Sequence, residues 1–209
     1  MKRILVLILL LLVASAAFAE EQILFSGKME SGAWAAPVVK FSSFSDQFAV
    51  LAGAQGGWIV NHRGLLGLGI YGLATKHRPP QDPYRYDLYG YDFYRVSTRA
   101  EMFYAGAIFG YVVESNKLLH TTFDVLVGGG ALTLSDEKGE DDFYNGNDYP
   151  NDGFFVAEPS IAAEINMTTY FRMNIGMGYR FVNGANSWGF NNSNTSGPVG
   201  TIIFKFGKF

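Results

Sequence analysis

The chain has 209 residues, 25 of them glycine and none cysteine, with 16% aromatic residues, 17% charged residues and a net charge of −3 at pH 7. The slight negative charge does not favour a nucleic-acid-binding protein. The lack of cysteine excludes a disulfide framework and a cysteine-linked lipid. So small a share of charged residues is unfavourable for a surface that faces water on all sides.

The first 19 residues have the pattern of a secretory signal. Lys2 and Arg3 precede an apolar run at residues 4–13, and small residues end in Ala17-Phe18-Ala19, an A-x-A cleavage pattern. The run has about half of the ~20 residues that a membrane-spanning helix needs, which disfavours a membrane anchor. We predict a signal peptide at residues 1–19, followed by a periplasmic lead-in at residues 20–29.

Beyond residue 29, short apolar segments alternate with turn signals and predict eight strands. Their expected bounds are 30–43, 47–60, 65–75, 99–113, 118–134, 153–166, 170–182 and 197–209. Tight turns begin at Asn61, Glu114 and near Met167, and longer connections separate them. Which way the strands at 30–43 and 99–113 face stays open, because both of their faces carry apolar residues.

The segment at residues 170–182 shows the clearest alternation. Odd positions from Phe171 to Phe181 are apolar or aromatic, and even positions from Arg172 to Arg180 are polar, cationic or glycine. A soluble sandwich could also use this pattern, but an exported apolar chain without a membrane helix favours a closed transmembrane barrel. We therefore expect Phe171, Ile175, Met177 and Phe181 to contact lipid hydrocarbon. The predicted fold is all-β, an eight-stranded antiparallel up-and-down barrel over residues 30–209, with periplasmic short turns and longer loops outside.

Three motifs carry a resemblance to a known family: Gly56-Gly57-Trp58-Ile59-Val60-Asn61-His62, the glycines at 128–130, and the ending Phe204-Lys205-Phe206-Gly207-Lys208-Phe209. The chain resembles the small outer-membrane β-barrel proteins widespread in Bacteroidetes and related bacteria, whose architecture is similar to OmpX and to the membrane domain of OmpA. The resemblance implies a Gram-negative outer membrane, with its lipid and lipopolysaccharide as surroundings. It also implies that Phe209 is the signal read by the outer-membrane assembly machinery.

Polar side chains on the alternate faces define a predicted interior network. If Asn166 pairs with Tyr170 across the third short turn, Glu164 lies directly across from Arg172. A small barrel fills its interior with its own side chains and must pair its charges, whereas a solute pathway or a proton relay would use the same groups differently. The expected members are Gln55, His120, Asp124, Glu158, Ser160, Glu164, Arg172, Asn174 and Arg180.

The loop at residues 76–98 is the candidate for recognition, because tyrosines alternate there with arginines and aspartates. Tyrosine combines a large contact area with a polar hydroxyl, which suits a surface ligand or partner. The same residues could instead form the upper aromatic girdle of the barrel. The candidates are Tyr84, Tyr86, Tyr89, Tyr91 and Tyr94.

Metal binding and catalysis receive little support. The acidic loop at 135–152 lacks the ligand spacing of a calcium loop, so whether it binds calcium stays open. The histidines at 62, 77 and 120 lie apart, and no adjacent serine nucleophile or H-x-S-N element accompanies them. We predict no cofactor, no metal site and no enzyme. The expected role is structural or surface interaction through the loops, with a narrow channel or a lipid-modifying enzyme as alternatives.

Overall fold

The computed structural model describes residues 30–81, 84–86, 93–95, 98–136 and 152–209. The predicted signal peptide and lead-in therefore lie outside the described residues. The described chain forms ten strands and one short helix: β1 Ser31–Phe44, β2 Gln47–Val60, β3 Gly64–Leu73, β4 Tyr84–Tyr86, β5 Phe93–Arg95, β6 Thr98–Val113, β7 Leu119–Asp136, β8 Asp152–Asn166, β9 Phe171–Asn183, α1 Asn192–Thr195 and β10 Gly197–Gly207.

Eight of these strands close into one antiparallel barrel. Its order is β1, β2, β3, β6, β7, β8, β9 and β10, and β10 pairs back with β1. Every connection thus joins neighbouring strands. The short strands β4 and β5 pair with each other in a separate sheet between β3 and β6. The predicted eight-stranded up-and-down barrel is confirmed.

The two ends of the barrel differ in their connections. Short turns follow β2, β6 and β8, and Glu30 and the C-terminus lie at this same end, which we call the short-turn end. The opposite end, the long-loop end, holds the longer connections together with one two-residue turn after β1. In that turn Ser45 and Asp46 have φ angles of 51° and 58°. Two successive left-handed residues fit the twist of a tight hairpin.

Each of the eight barrel strands exposes large apolar side chains on the outside of the barrel. Trp58, Leu68 and Met177 are 65%, 70% and 69% exposed on β2, β3 and β9. Ile175 and Phe181 are also more than half exposed, at 52% and 54%. A continuous apolar surface of this kind is unsuited to water and fits a bilayer. None of the described helices is long and apolar enough to cross a membrane.

The structure settles the facing of the two ambiguous strands. On β1 the side chains that point inward are Trp34, Ala36, Val38, Lys40, Ser42 and Phe44. On β6 the inward side chains are Met102, Tyr104, Ile108 and Val112, while Phe103, Phe109 and Tyr111 face outward. The interior therefore receives a lysine and a tyrosine that the sequence pattern did not assign to it.

The predicted register between β8 and β9 is wrong by two residues. Asn166 pairs with Arg172, so Glu164 lies opposite Asn174 and not opposite Arg172. The cause is a wider turn, in which the carbonyl of Phe171 accepts two backbone N–H groups of the turn at 3.0 and 3.1 Å. Glu164 still reaches Arg172, but along a diagonal of the sheet.

Candidate functional site: the barrel interior

One buried carboxylate organises the interior near the short-turn end. Glu164 is 1% exposed, and its Oε1 lies 3.0 Å from Nε2 of His120 and 3.1 Å from a terminal nitrogen of Arg172. Its Oε2 accepts hydrogen bonds from Nζ of Lys205 at 2.6 Å and from Nδ2 of Asn174 at 3.3 Å. We call these five residues the lower cluster. They join β7, β8, β9 and β10 through a single carboxylate.

The other contacts of the lower cluster fix its geometry. Nδ1 of His120 lies 3.1 Å from the carbonyl oxygen of Lys117, so both ring nitrogens are engaged. The amide of Asn174 also donates to Oγ1 of Thr122 at 3.0 Å. A buried charge is tolerated only when it is paired and hydrogen-bonded, and this arrangement meets that requirement for Glu164.

A second charged group, the upper cluster, lies farther toward the long-loop end. Lys40 donates from Nζ to Oε1 of Glu158 at 2.5 Å and to the hydroxyl of Tyr104 at 3.2 Å. The Tyr104 hydroxyl donates in turn to Oε2 of Glu158 at 2.9 Å. Nζ of Lys40 also lies 3.4 Å from the ring centre of Tyr71, whose hydroxyl donates to Gln55 at 2.8 Å. The cation is therefore held by a carboxylate, a phenol and an aromatic face.

Two glycines make room for the Tyr71 ring. A Cβ atom added to Gly53 would lie 2.6 Å from Cδ1 of Tyr71, and one added to Gly69 would lie 2.6 Å from its hydroxyl oxygen. Side-chain carbon atoms do not approach so closely, so an alanine at either position would displace the ring. The upper cluster thus depends on glycines of the neighbouring wall.

A cavity of about 30 Å³ separates the two clusters. Its wall includes Lys40 and Glu158 from above, Lys205 from below, and Asp124 and Ser160 from β7 and β8. Oδ1 of Asp124 is buried and has no hydrogen-bond partner within the described residues. Sites for small molecules usually occupy about 300 to 1,000 Å³, so this space fits water and not a solute.

Arg180 links the barrel wall to the loop between β9 and β10. It is fully buried, and its Nε donates to the carbonyl oxygen of Thr195 at 3.1 Å. One terminal nitrogen donates to the carbonyl oxygen of Ser43 at 3.0 Å, and the other has no partner in the described part of the chain. The guanidinium therefore fastens the loop to the rim of β1.

That loop, residues 184–196, covers the long-loop end, and we call it the plug. Phe190 is 3% exposed and its ring centre lies 5.0 Å from that of Phe44. The ring centre of His77 lies 5.5 Å from that of Phe44, with the two rings in an edge-to-face arrangement. Burial lowers the pKa of His77 from its ordinary value. Beneath the plug lies a buried apolar layer that includes Met102, Leu132, Phe154, Val156 and Val182. The polar interior is thus separated from the long-loop end.

The C-terminus enters the short-turn end of the barrel. The guanidinium carbon of Arg172 lies 4.1 Å from the ring centre of Phe209, and the N–H of Lys208 donates to the carbonyl of Ala33 at 3.0 Å. Phe206 faces outward at 53% exposure, whereas Lys205 points inward. Phe209 therefore packs on the interior face, and its predicted role in assembly stays a prediction.

The predicted interior residues fall into four places. The structure brings Glu164, Arg172, Asn174 and His120 into the lower cluster, puts Glu158 and Gln55 in the upper cluster, and places Asp124 and Ser160 at the cavity, with Arg180 under the plug. Sequence reasoning missed Lys40, Lys205, Tyr71 and Tyr104. Successive side chains of a strand point to opposite faces, so a lysine between the outward-facing Phe204 and Phe206 must point inward. The sequence could therefore have predicted Lys205 in the interior.

The predicted recognition residues are only partly within the described chain. Tyr84 and Tyr86 belong to β4 and Tyr94 to β5, where their backbones pair across a small hairpin. Tyr89 and Tyr91 lie outside the described residues, as do positions 137–151 of the acidic loop. Among the residues that the structure describes, no group of three or more His, Asp or Glu side chains could hold a metal ion.

Comparison with solved structures defines the class of fold. Neisserial surface protein A superimposes with a TM-score of 0.51 at 10% identity, covering 88% of this chain and 100% of that one. The N-terminal β-barrel domain of Pseudomonas aeruginosa OprF gives 0.49 at 10% identity, over 86% and 99%. Ail, the attachment invasion locus protein of Yersinia pestis, gives 0.49 at 10%, over 87% and 98%. The chain has the fold of the small eight-stranded outer-membrane barrels.

At the level of sequence, no family model matches the chain, and no curated protein matches it either. The resemblance to small barrels of Bacteroidetes and to OmpX therefore stays a prediction. What the solved structures share with this chain is the architecture.

Proposed function

We propose that this protein is a closed outer-membrane barrel that anchors extracellular loops for surface interaction, without conduction or catalysis. The observation that carries the proposal is the filled interior. Two ion-paired clusters, a water-sized cavity and an apolar layer occupy the barrel from one end to the other. A barrel of eight strands has an interior just wide enough for its own side chains.

The orientation follows from the two ends. Short turns face the periplasm and longer loops face outward in barrels of this kind, so the long-loop end and its plug are placed outside. Outer-membrane lipid and lipopolysaccharide are then the partners of the apolar wall. Phe209 lies at the short-turn end, on the side from which the assembly machinery acts.

The two alternatives have weaker support in the structure. A solute channel or a proton relay needs a polar route to both ends, and the buried apolar layer under the plug interrupts that route. A histidine-dependent enzyme needs a ring nitrogen that can reach a reacting group. Both ring nitrogens of His120 are engaged with Lys117 and Glu164, and for His77 Nε2 is engaged with Oγ1 of Thr75 at 2.8 Å while Nδ1 is buried.

The first test is electrical. The purified protein, inserted into planar bilayers, is expected to show no steady conductance, because the two clusters and the plug leave no continuous aqueous path. Heat-modifiable gel migration of the same sample confirms that the barrel is folded. A reproducible conductance step in the nanosiemens range would overturn the proposal in favour of the channel.

The second test addresses the tyrosine loop. We expect that replacing residues 83–95 by a short Gly-Ser linker leaves the barrel folded, because β4 and β5 pair with each other while β3 and β6 pair directly from Gly64 to Gly72. Binding to cells or to surface polysaccharide is expected to be lost. The matched control replaces residues 115–117, in a short turn, and should keep binding. Failure of the loop variant to fold would show that the tyrosines are scaffold.

A further inference from the structure

A groove of about 590 Å³ lies on the plug itself, at the long-loop end. Its polar walls are formed by Asn183, Asn186, Asn191, Asn192 and Ser193, all of them exposed, and its floor includes Ala185, which is buried. The groove is shallow and largely open to solvent, a shape that suits a ligand lying along the surface and not one enclosed in a pocket. The described residues that line it carry no charged side chain.

The walls of the groove are held in place by their own backbone contacts. Oδ1 of Asn192 accepts the backbone N–H of Gly184 at 2.9 Å, which ties one wall to the other. Oδ1 of Asn191 accepts the N–H groups of Ser193 and Asn194 at 2.9 and 3.0 Å. Binding to such a site loses less conformational entropy than binding to a loop that must first be ordered.

On the opposite wall, two asparagine side chains have no hydrogen-bond partner among the described residues. The backbone N–H of Asn186 donates to the carboxylate of Asp152 at 2.5 Å, which positions this wall and engages the nearby acidic side chain. The side-chain amides of Asn183 and Asn186 make no hydrogen bond to any other described residue. Each of them therefore offers two donors and an acceptor to the groove.

We infer that this groove binds a neutral sugar chain. An amide presents a donor and an acceptor side by side, as the paired hydroxyls of a sugar do, and the amides of Asn183 and Asn186 repeat this match along one wall of the groove. Uncharged walls give no preference for phosphate, sulfate or carboxylate groups. The inference rests on the proposed function in one respect, because it requires that the long-loop end face the exterior.

The test uses the full barrel in a detergent without a sugar headgroup, with [¹⁵N]asparagine labelling. Chitotetraose, maltotetraose and mannotetraose are titrated separately to about 10 mM, a range that detects weak sites. Saturable shifts of the Asn183 and Asn186 side-chain signals are expected with at least one of them. A chondroitin sulfate tetrasaccharide is expected to shift these signals less. No saturable shift with any neutral sugar, or a preference for the sulfated one, overturns the inference.

The variant Asn183→Ala/Asn186→Ala, followed through the side-chain signals of Asn191 and Asn192 in the same groove, is expected to bind about tenfold more weakly or worse, because two groups that bond the ligand are removed. Neither side chain bonds the rest of the described chain, so folding should be unaffected. Asn116→Ala, the same change in a short turn at the other end, is the matched control and should bind normally. Unchanged affinity in the double variant overturns the inference. No saturable shift in the unaltered barrel, while the 83–95 loop still mediates cell binding, would refute the groove and leave the proposed function standing.

Discussion

Exchange of Glu164 for glutamine is expected to lower the free energy of unfolding of the barrel by about 3 to 5 kcal/mol. Glutamine keeps the volume of the side chain but removes the only carboxylate of the lower cluster. Arg172 and Lys205, which lie 3.1 and 2.6 Å from it, would then be buried without a carboxylate bonded to them. The measurement is urea unfolding in lipid vesicles, followed by tryptophan fluorescence and by heat-modifiable gel migration.

Two further variants make this result specific. Glu114→Gln removes an exposed ion pair with Lys117 and should cost no more than about 1 kcal/mol. Adding Lys205→Met to Glu164→Gln should recover part of the loss, because one of the unpaired cations disappears. If Glu164→Gln costs no more than Glu114→Gln, the lower cluster does not stabilise the barrel.

The second large effect concerns the outer wall. Ile175→Arg is expected to cost about 2 to 4 kcal/mol, because Ile175 lies in the middle part of β9 and is 52% exposed on the apolar wall. A guanidinium at that depth would have to enter lipid hydrocarbon. The same unfolding measurement gives the loss of stability.

The matched control is Tyr170→Arg, at the short-turn end just before β9, where Tyr170 is 69% exposed. An arginine near the membrane interface should cost only about 0 to 1 kcal/mol. Equal effects at Ile175 and Tyr170 would mean that the wall of β9 does not cross a bilayer at the expected depth.

Strand positions could be predicted from the sequence because period-two alternation acts within one segment. On β9 every inward and outward position follows the pattern, from Arg172 inside to Phe181 outside. On β1 the rule fails to choose a face, because inward Ala36 and Val38 alternate with outward Ala35 and Pro37, all of them apolar. Alternation is informative only where the two environments require different residue types.

The interior contacts depend on information that a local pattern lacks. Lys40 and Glu158 are separated by 118 positions in the chain, and their pairing requires the closed barrel. The register at the third short turn depended on one wide turn, which residue types at 167–170 did not reveal. The sequence of the plug has no periodicity. Nothing in that sequence therefore predicted that its asparagines would line a groove.

Closure of the barrel sets the order in which its charges can be neutralised. Pairing of β1 with β10 joins the two ends of the chain, as the bond from Ser42 to Pro198 across 156 positions shows. Such contacts form late, because long segments of chain must first be ordered. We therefore expect Arg180 of β9, which donates to the carbonyl of Ser43 on β1, to keep its hydration until the barrel closes. We expect sealing of the barrel and drying of its interior to occur together, so that a chain lacking β10 would leave Arg180 without its acceptor on β1.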